Sequence, residues 1–166
     1  MLTSDDMTEA SFVPLWEDAV AQTSDIREVG RLCLEYGRLR LRTHTEHAPL
    51  LVARRRQAGS PLVVLPLPDV PGDNAPELKT QVQQILQHAQ AYTAAIVFSQ
   101  VAGQREGVPH YLLTAWVCER GGGEFAVIQP YRWLESRLAV APAMVVPDAT
   151  LTEVSRRCAG IFVSEH

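Results

Sequence analysis

Lysine is almost missing from this chain. Lys79 stands alone among the 15 Lys and Arg residues, so nearly all positive charge is carried by arginine. Together with abundant alanine, this bias is expected of a GC-rich genome and points to a bacterial source more than to selection for phosphate geometry. Cysteine is also sparse: Cys33, Cys118 and Cys158 are odd in number and widely spaced, which argues against a disulfide framework. No basic start followed by an apolar stretch opens the chain, and no run of about 18 apolar residues occurs. These absences predict a cytoplasmic protein with reduced thiols.

What remains is ordinary globular composition. The 166 residues are 46% hydrophobic and 20% charged, with a formal net charge of -4 and a mean hydropathy of -0.03. Disordered, collagen-like and transmembrane chains are excluded. A chain of this length buries nearly 70% of the surface that its unfolded form exposes, so one domain over 1–166 can fold without a metal or disulfide. There is no internal repeat and no interdomain linker.

Met1 to Phe12 is polar and acidic without apolar period, and is expected to be poorly ordered. Pro14 suits a first helical turn, with Leu15, Ala19 and Gln22 on one side and Trp16 and Val20 on an adjoining stripe. Asp25 and Glu28 have capping-box spacing ahead of Ile26, Val29, Leu32 or Cys33, and Tyr36. That helix ends either at Gly37, leaving Arg38 to His44 as a strand, or continues through Leu39 to Thr43.

Leu50–Ala53 and Leu62–Leu65 read as a hairpin with a four-residue loop at Gln57–Ser60 and a basic tip. Pro66 and Pro68 end the second strand or place it at an edge. After a Pro/Gly/Asp loop in which Asn74 can cap, Leu78, Val82, Ile85, Ala89 and Tyr92 predict an amphipathic helix of about 18 residues. Ala94–Phe98 follows as a buried strand, joined to Leu62–Leu65 by a right-handed parallel crossover if both lie in one sheet.

Gly121-Gly122-Gly123 turns Tyr111–Arg120 back onto Glu124–Leu134. Pairing Arg120 with Glu124 sets Trp116 opposite Ile128 and Cys118 opposite Ala126 on one face, with Val117 opposite Val127 and Leu113 opposite Tyr131 on the other. Both faces are apolar and must be covered. Met144–Val146 adds a strand beyond Pro142, and Thr150 with Glu153 opens a C-terminal helix. The expected fold is α+β: a mixed sheet of about five or six strands, from two hairpins and a βαβ crossover, with an N-terminal helical segment, an amphipathic central helix and a C-terminal helix.

No motif specifies an activity. Arg27 to Arg56 holds eight Arg against three Glu, and Arg38, Arg40, Arg42, Arg54, Arg55 and Arg56 are the candidates for a nucleic-acid face. Alternation within a strand sends Arg54 and Arg56 to one side and Arg55 to the other, and the lysines and interleaved aromatics of such surfaces are missing. His44, Glu46 and His47 are three metal-capable side chains, and His44-Thr45-Glu46 matches the start of the zinc deaminase signature. Its Pro-Cys-x-x-Cys half is nowhere in the chain.

Pro68-Asp69 and Glu77-Leu78-Lys79 imitate the carboxylate and lysine elements of metal-dependent nucleases, but the second falls in a helix instead of a strand. Ser60 lacks a nucleophile elbow, Gly121–Gly123 leads into no helix, and Cys118 sits in an apolar strand. No catalytic residue and no cofactor is implied. The expected function is a non-catalytic protein-interaction module that self-associates, because apolar hairpin faces outnumber the helices available to cover them. The alternatives are an arginine-dependent nucleic-acid binder and a small metal-dependent hydrolase or nuclease.

Overall fold

In a computed structural model of the chain, residues 2–43, 48–67 and 75–146 are described, those at 75–78 by backbone alone. Thr8 caps the first helix, α1 (Glu9–Gln22), its hydroxyl accepting from the Ser11 amide at 3.2 Å. The cap sets the start well ahead of Pro14, which lies inside the helix and not in its first turn. The buried stripe is Phe12, Trp16 and Val20, while Leu15 is 54% exposed, so the adjoining stripe is the one that faces inward. Phe12 and Ser4 are both fully buried. Leu2 and Met7 pack against the core, while Thr3, Asp5, Asp6 and Thr8 are exposed.

Helix α2 (Ile26–Thr43) runs unbroken through Gly37. Only half of the expected capping box forms: Asp25 accepts from the Arg27 amide at 2.9 Å, while the Glu28 carboxylate turns to Arg31. Gly37 is not a cap, and Arg38 to His44 does not start a strand. Gly37 and Gly30, two helical turns apart, lie against the sheet: a Cβ at Gly30 would stand 2.9 Å from Val127 Cγ2, and one at Gly37 3.0 Å from Val97 Cγ1. With buried Cys33 between them, these small residues bring the helix backbone close to the strands. α1 locks onto α2 through Trp16 Nε1, which donates to the Leu32 carbonyl at 2.8 Å, and through the Phe12–Tyr36–Trp16 aromatic stack.

Strands β1 (Leu50–Arg54) and β2 (Val63–Pro66) form the first hairpin, with Leu51 opposite Leu65 and Ala53 opposite Val63. Its connection is longer than the four residues expected, since pairing stops at Ala53 and the Gly59 turn bonds back to Ala21 of α1. Helix α3 (Ala75–His88) is shorter than the apolar period suggests. It unwinds at Gln90, whose φ is 53°, with the Ala91 amide closing onto the Leu86 carbonyl at 2.9 Å.

Strands β3 (Thr93–Arg105), β4 (Val108–Glu119), β5 (Glu124–Leu134), β6 (Arg137–Val140) and β7 (Met144–Val146) complete a seven-stranded sheet in the order β2-β1-β3-β4-β5-β6, with β7 also on β5. Every neighbouring pair is antiparallel, which corrects the expected mixed sheet. β2 and β3 do run in the same direction on either side of α3, but β1 lies between them, so no parallel ladder forms.

The register of the second hairpin is also corrected, by two residues: Cys118 pairs with Glu124, Trp116 with Ala126 and Tyr111 with Tyr131. Gly121 takes a φ of 68° and the Gly122 amide donates to the Glu119 carbonyl at 3.0 Å, so the turn consumes Glu119 and Arg120 as well as the glycines. A shift of two preserves the facing of each side chain. Leu113, Val117, Val127 and Tyr131 pack under α1 and α2, whereas Trp116, Cys118 and Ala126 share the opposite face with Val82 and Leu86 of α3. The expected C-terminal helix and the Asn74 cap lie outside the described residues.

Candidate functional site

The arginines proposed for a nucleic-acid face are spread over two elements and are engaged within the chain. In α2, Arg38 donates to both oxygens of Glu35 at 2.7 and 2.8 Å, Arg40 to the Ala48 carbonyl at 3.1 Å, and Arg42 to the Ser4 carbonyl. At the end of β1, the Arg54 guanidinium holds the Val20 and Thr23 carbonyls where α1 terminates, and burial pulls its pKa below the ordinary arginine value. Arg55 Nε donates to the Ala89 carbonyl at 3.1 Å, and Arg56 lies 5.1 Å over the Tyr92 ring. A helix end exposes unpaired carbonyls, and a guanidinium answers them with several donors in one plane.

His44, Glu46 and His47 lie outside the described residues, as do Pro68 and Asp69. Among the described residues no group of three His, Cys, Asp or Glu side chains converges. Glu77-Leu78-Lys79 falls in the first turns of α3, as its helical spacing predicts. Cys33 and Cys118 are buried and in no disulfide, and burial pushes the Cys33 thiol up to about 12. A thiol held protonated in an apolar core is a packing group. Ser60 sits in the connection between β1 and β2, its amide bonded to Gln57 at 3.3 Å.

The unusual surface is elsewhere, in two features that the sequence reading missed. The first is a two-stranded arm: β3 and β4 continue beyond the core, and residues 100–109 are exposed on both faces, with Val101 at 68% and Val108 at 38%. Glu106 and Gly107, at φ 51° and 78°, make the tight turn at its tip. The second is the edge beyond β5. β6 and β7 are successive halves of one edge strand, paired respectively with Tyr131–Leu134 and Ala126–Ile128.

Ala141-Pro142-Ala143 interrupts that edge, and the break is satisfied internally. The Ala141 amide donates to the Pro130 carbonyl at 2.9 Å and buried Gln129 donates to the Ala141 carbonyl at 3.0 Å. Val140 is 42% exposed, Met144 51% and Val145 55%. Since adjacent strand residues point to opposite faces, neither face of β7 is covered among the described residues.

The other edge, β2, borders an open groove of about 720 Å³ lined by Val63, Leu65, Gln81, Ile85 and His88. Pro66, the last residue of that strand, removes one of its donors. Glu106-Gly107 and Glu135-Ser136 were the signals for the arm and for β6, each a short polar pair between two strands. Compared with protein-family models, with curated proteins and with solved structures, the chain matches none, so its role is argued from this surface alone.

Proposed function

We propose that this protein is a non-catalytic interaction module that associates with a second copy of itself along the β6–β7 edge, with the projecting arm extending the contact. The observation that carries the reading is the edge itself: Met144 and Val145 are each more than half exposed, on opposite faces of a strand with no outer neighbour among the described residues. Natural edges are normally blunted by charge, by proline or by cover. Here Arg137 is the one charged residue between 137 and 146, and Pro142 interrupts only the middle.

A second copy is the favoured occupant for two reasons. Two-fold pairing of an edge strand with itself is antiparallel, as is every pair already in the sheet, and it is self-complementary. It also brings no like charges together over Met144–Val146. The arm supports the same reading, because a two-stranded ribbon without a covered face is marginal in water. The setting that fits is the cytoplasm, where Cys33 and Cys118 stay as reduced thiols. The arginine candidates are bonded within the chain, so no observation favours the nucleic-acid reading.

Static light scattering tests the proposal. The wild-type protein at micromolar concentration is expected at twice the chain mass, and Val145→Asp at the chain mass with an unchanged circular dichroism spectrum. A wild-type monomer at that concentration defeats the reading.

A further inference from the structure

The strongest unassigned arrangement on the molecule is on the other side of the fold, along α2. Arg31, Glu35, Arg38 and Arg42 recur at i, i+4, i+7 and i+11 and so share one helix face. Across them lies the opening segment, which turns at Asp5-Asp6, the Met7 amide donating to the Ser4 carbonyl at 3.3 Å. Arg31 Nη1 donates to the Leu2 carbonyl at 3.1 Å, the Ser4 amide donates to Glu35 Oε2 at 2.8 Å, and Arg42 donates to the Ser4 carbonyl. Asp5 lies 3.4 Å from Arg42 and 3.6 Å from Arg38. Leu2 and Met7 pack against the core on either side of these polar contacts. The helix face thus reads a peptide backbone in both polarities: a carboxylate accepts from its N–H and guanidiniums donate to its carbonyls.

We propose that this face of α2 is a docking site for an acidic segment of a partner polypeptide, and that Leu2–Asp5 occupies it in cis as a removable strap. Two observations make the strap replaceable. Ser4 Oγ and Arg38 Nε are both buried without a hydrogen-bond partner among the described residues, so the segment satisfies the site incompletely. Asp5 is 66% exposed and makes only long contacts, so the acidic part of the recognition is loose. A segment with a small residue at the Ser4 position, and a carboxylate reaching Arg38 Nε, fits the same site better.

The chemistry also selects the class of partner. Glu35 is buried, 8% exposed, and needs an N–H donor in front of it. A phosphodiester backbone has none and would set its own charge against that carboxylate, whereas a peptide strand supplies the donor at the right place. The site is separate from the β6–β7 edge, so it stands or falls independently of self-association there.

The test uses a chain lacking residues 1–7 and a fluorescent, N-acetylated peptide of residues 2–8, followed by anisotropy. The truncated chain is expected to bind the peptide and the full chain to bind it far more weakly, because the strap competes from the same molecule. Binding is expected to fall at least about tenfold with Arg42→Glu, the loss of one charge-assisted contact pair, and to rise when Ser4 of the peptide is changed to Ala. A peptide with Pro at the Ser4 position lacks the N–H and is expected not to bind.

If the truncated chain does not fold, full-length Ser4→Pro, which opens the strap without deleting it, replaces it. Folded, strap-free protein that binds no peptide overturns the proposal. So does equal binding of a single-stranded oligonucleotide, or a molar mass that halves on truncation, which would identify the occupant as nucleic acid or as a second copy's own segment. Val145→Asp serves as the control variant, expected to leave peptide binding unchanged.

Discussion

Arg54 shows how a residue's meaning changes once its neighbours are known. In the sequence it is the first of three arginines at a hairpin tip; in the fold it is a clamp on the last carbonyls of α1, with part of its guanidinium desolvated. Arg54→Ala is therefore expected to destabilise the protein by about 2 kcal/mol, in the range of hydrogen bonds to charged groups, without altering any affinity for nucleic acid. Urea denaturation measures the first and a low-salt filter-binding assay the second. Cysteine behaves more simply: an apolar strand or helix position predicts a buried thiol, and Cys33 and Cys118 are buried.

The consequence for pH follows from that burial. The Cys33 thiol is raised from 9.0 to about 12, so the folded state holds its proton where the unfolded state releases it. Its contribution is fully present below pH 9 and is lost as pH rises towards 12, at up to about 1.4 kcal/mol per pH unit. Tyr36 and Tyr131, both raised chiefly by burial, add to the loss above their ordinary value of 10.0. Between pH 9 and 10 the slope is expected to flatten in Cys33→Ala, which guanidinium titrations at stepped pH measure.

Elements were legible to the degree that one physical signal determined them. The long helices α2 and α3 follow from their apolar period, and the strands Leu50–Ala53 and Ala94–Phe98 from short continuous apolar runs. Boundaries and registers did not follow, because they rest on competitions that periodicity does not record. Thr8 outbids Pro14 as the start of α1, and the turn at Glu119–Gly122 moves the second hairpin by two residues while leaving every face unchanged.

Gly37 reads as a terminator when only its low propensity is visible, yet it is kept inside α2 by a close approach to the sheet. The stronger constraint is at Gly30, where an added methyl would stand 2.9 Å from Val127 Cγ2 and 3.2 Å from Phe125. Gly30→Ala gains about 1 kcal/mol of helix propensity and loses roughly 1 to 3 kcal/mol to overpacking. The expected net effect is a destabilisation of about 1 kcal/mol, with the same denaturant slope as wild type; a stabilised variant would mean that α2 lies farther from the strands.

For the whole molecule, α+β architecture and an apolar character on both faces of the central hairpin were readable in the alternation of Leu113 to Cys118 and Ala126 to Tyr131. The surface on which the function is argued was not. Residues 100–109 and 137–146 show no polar–apolar alternation that would mark a strand with one covered face, and only the three-dimensional arrangement shows which strands have neighbours. Self-association along β6–β7 is the central claim, and amide hydrogen exchange resolved to residues 137–146 across a dilution series tests it most directly. Protection of the outward-pointing amides of Met144–Val146, those not bonded to β5, is expected to increase with protein concentration and to disappear on dilution, while amides of β3 and β4 within the core stay unchanged. Exchange at Met144–Val146 that is equally fast at every concentration would contradict the account.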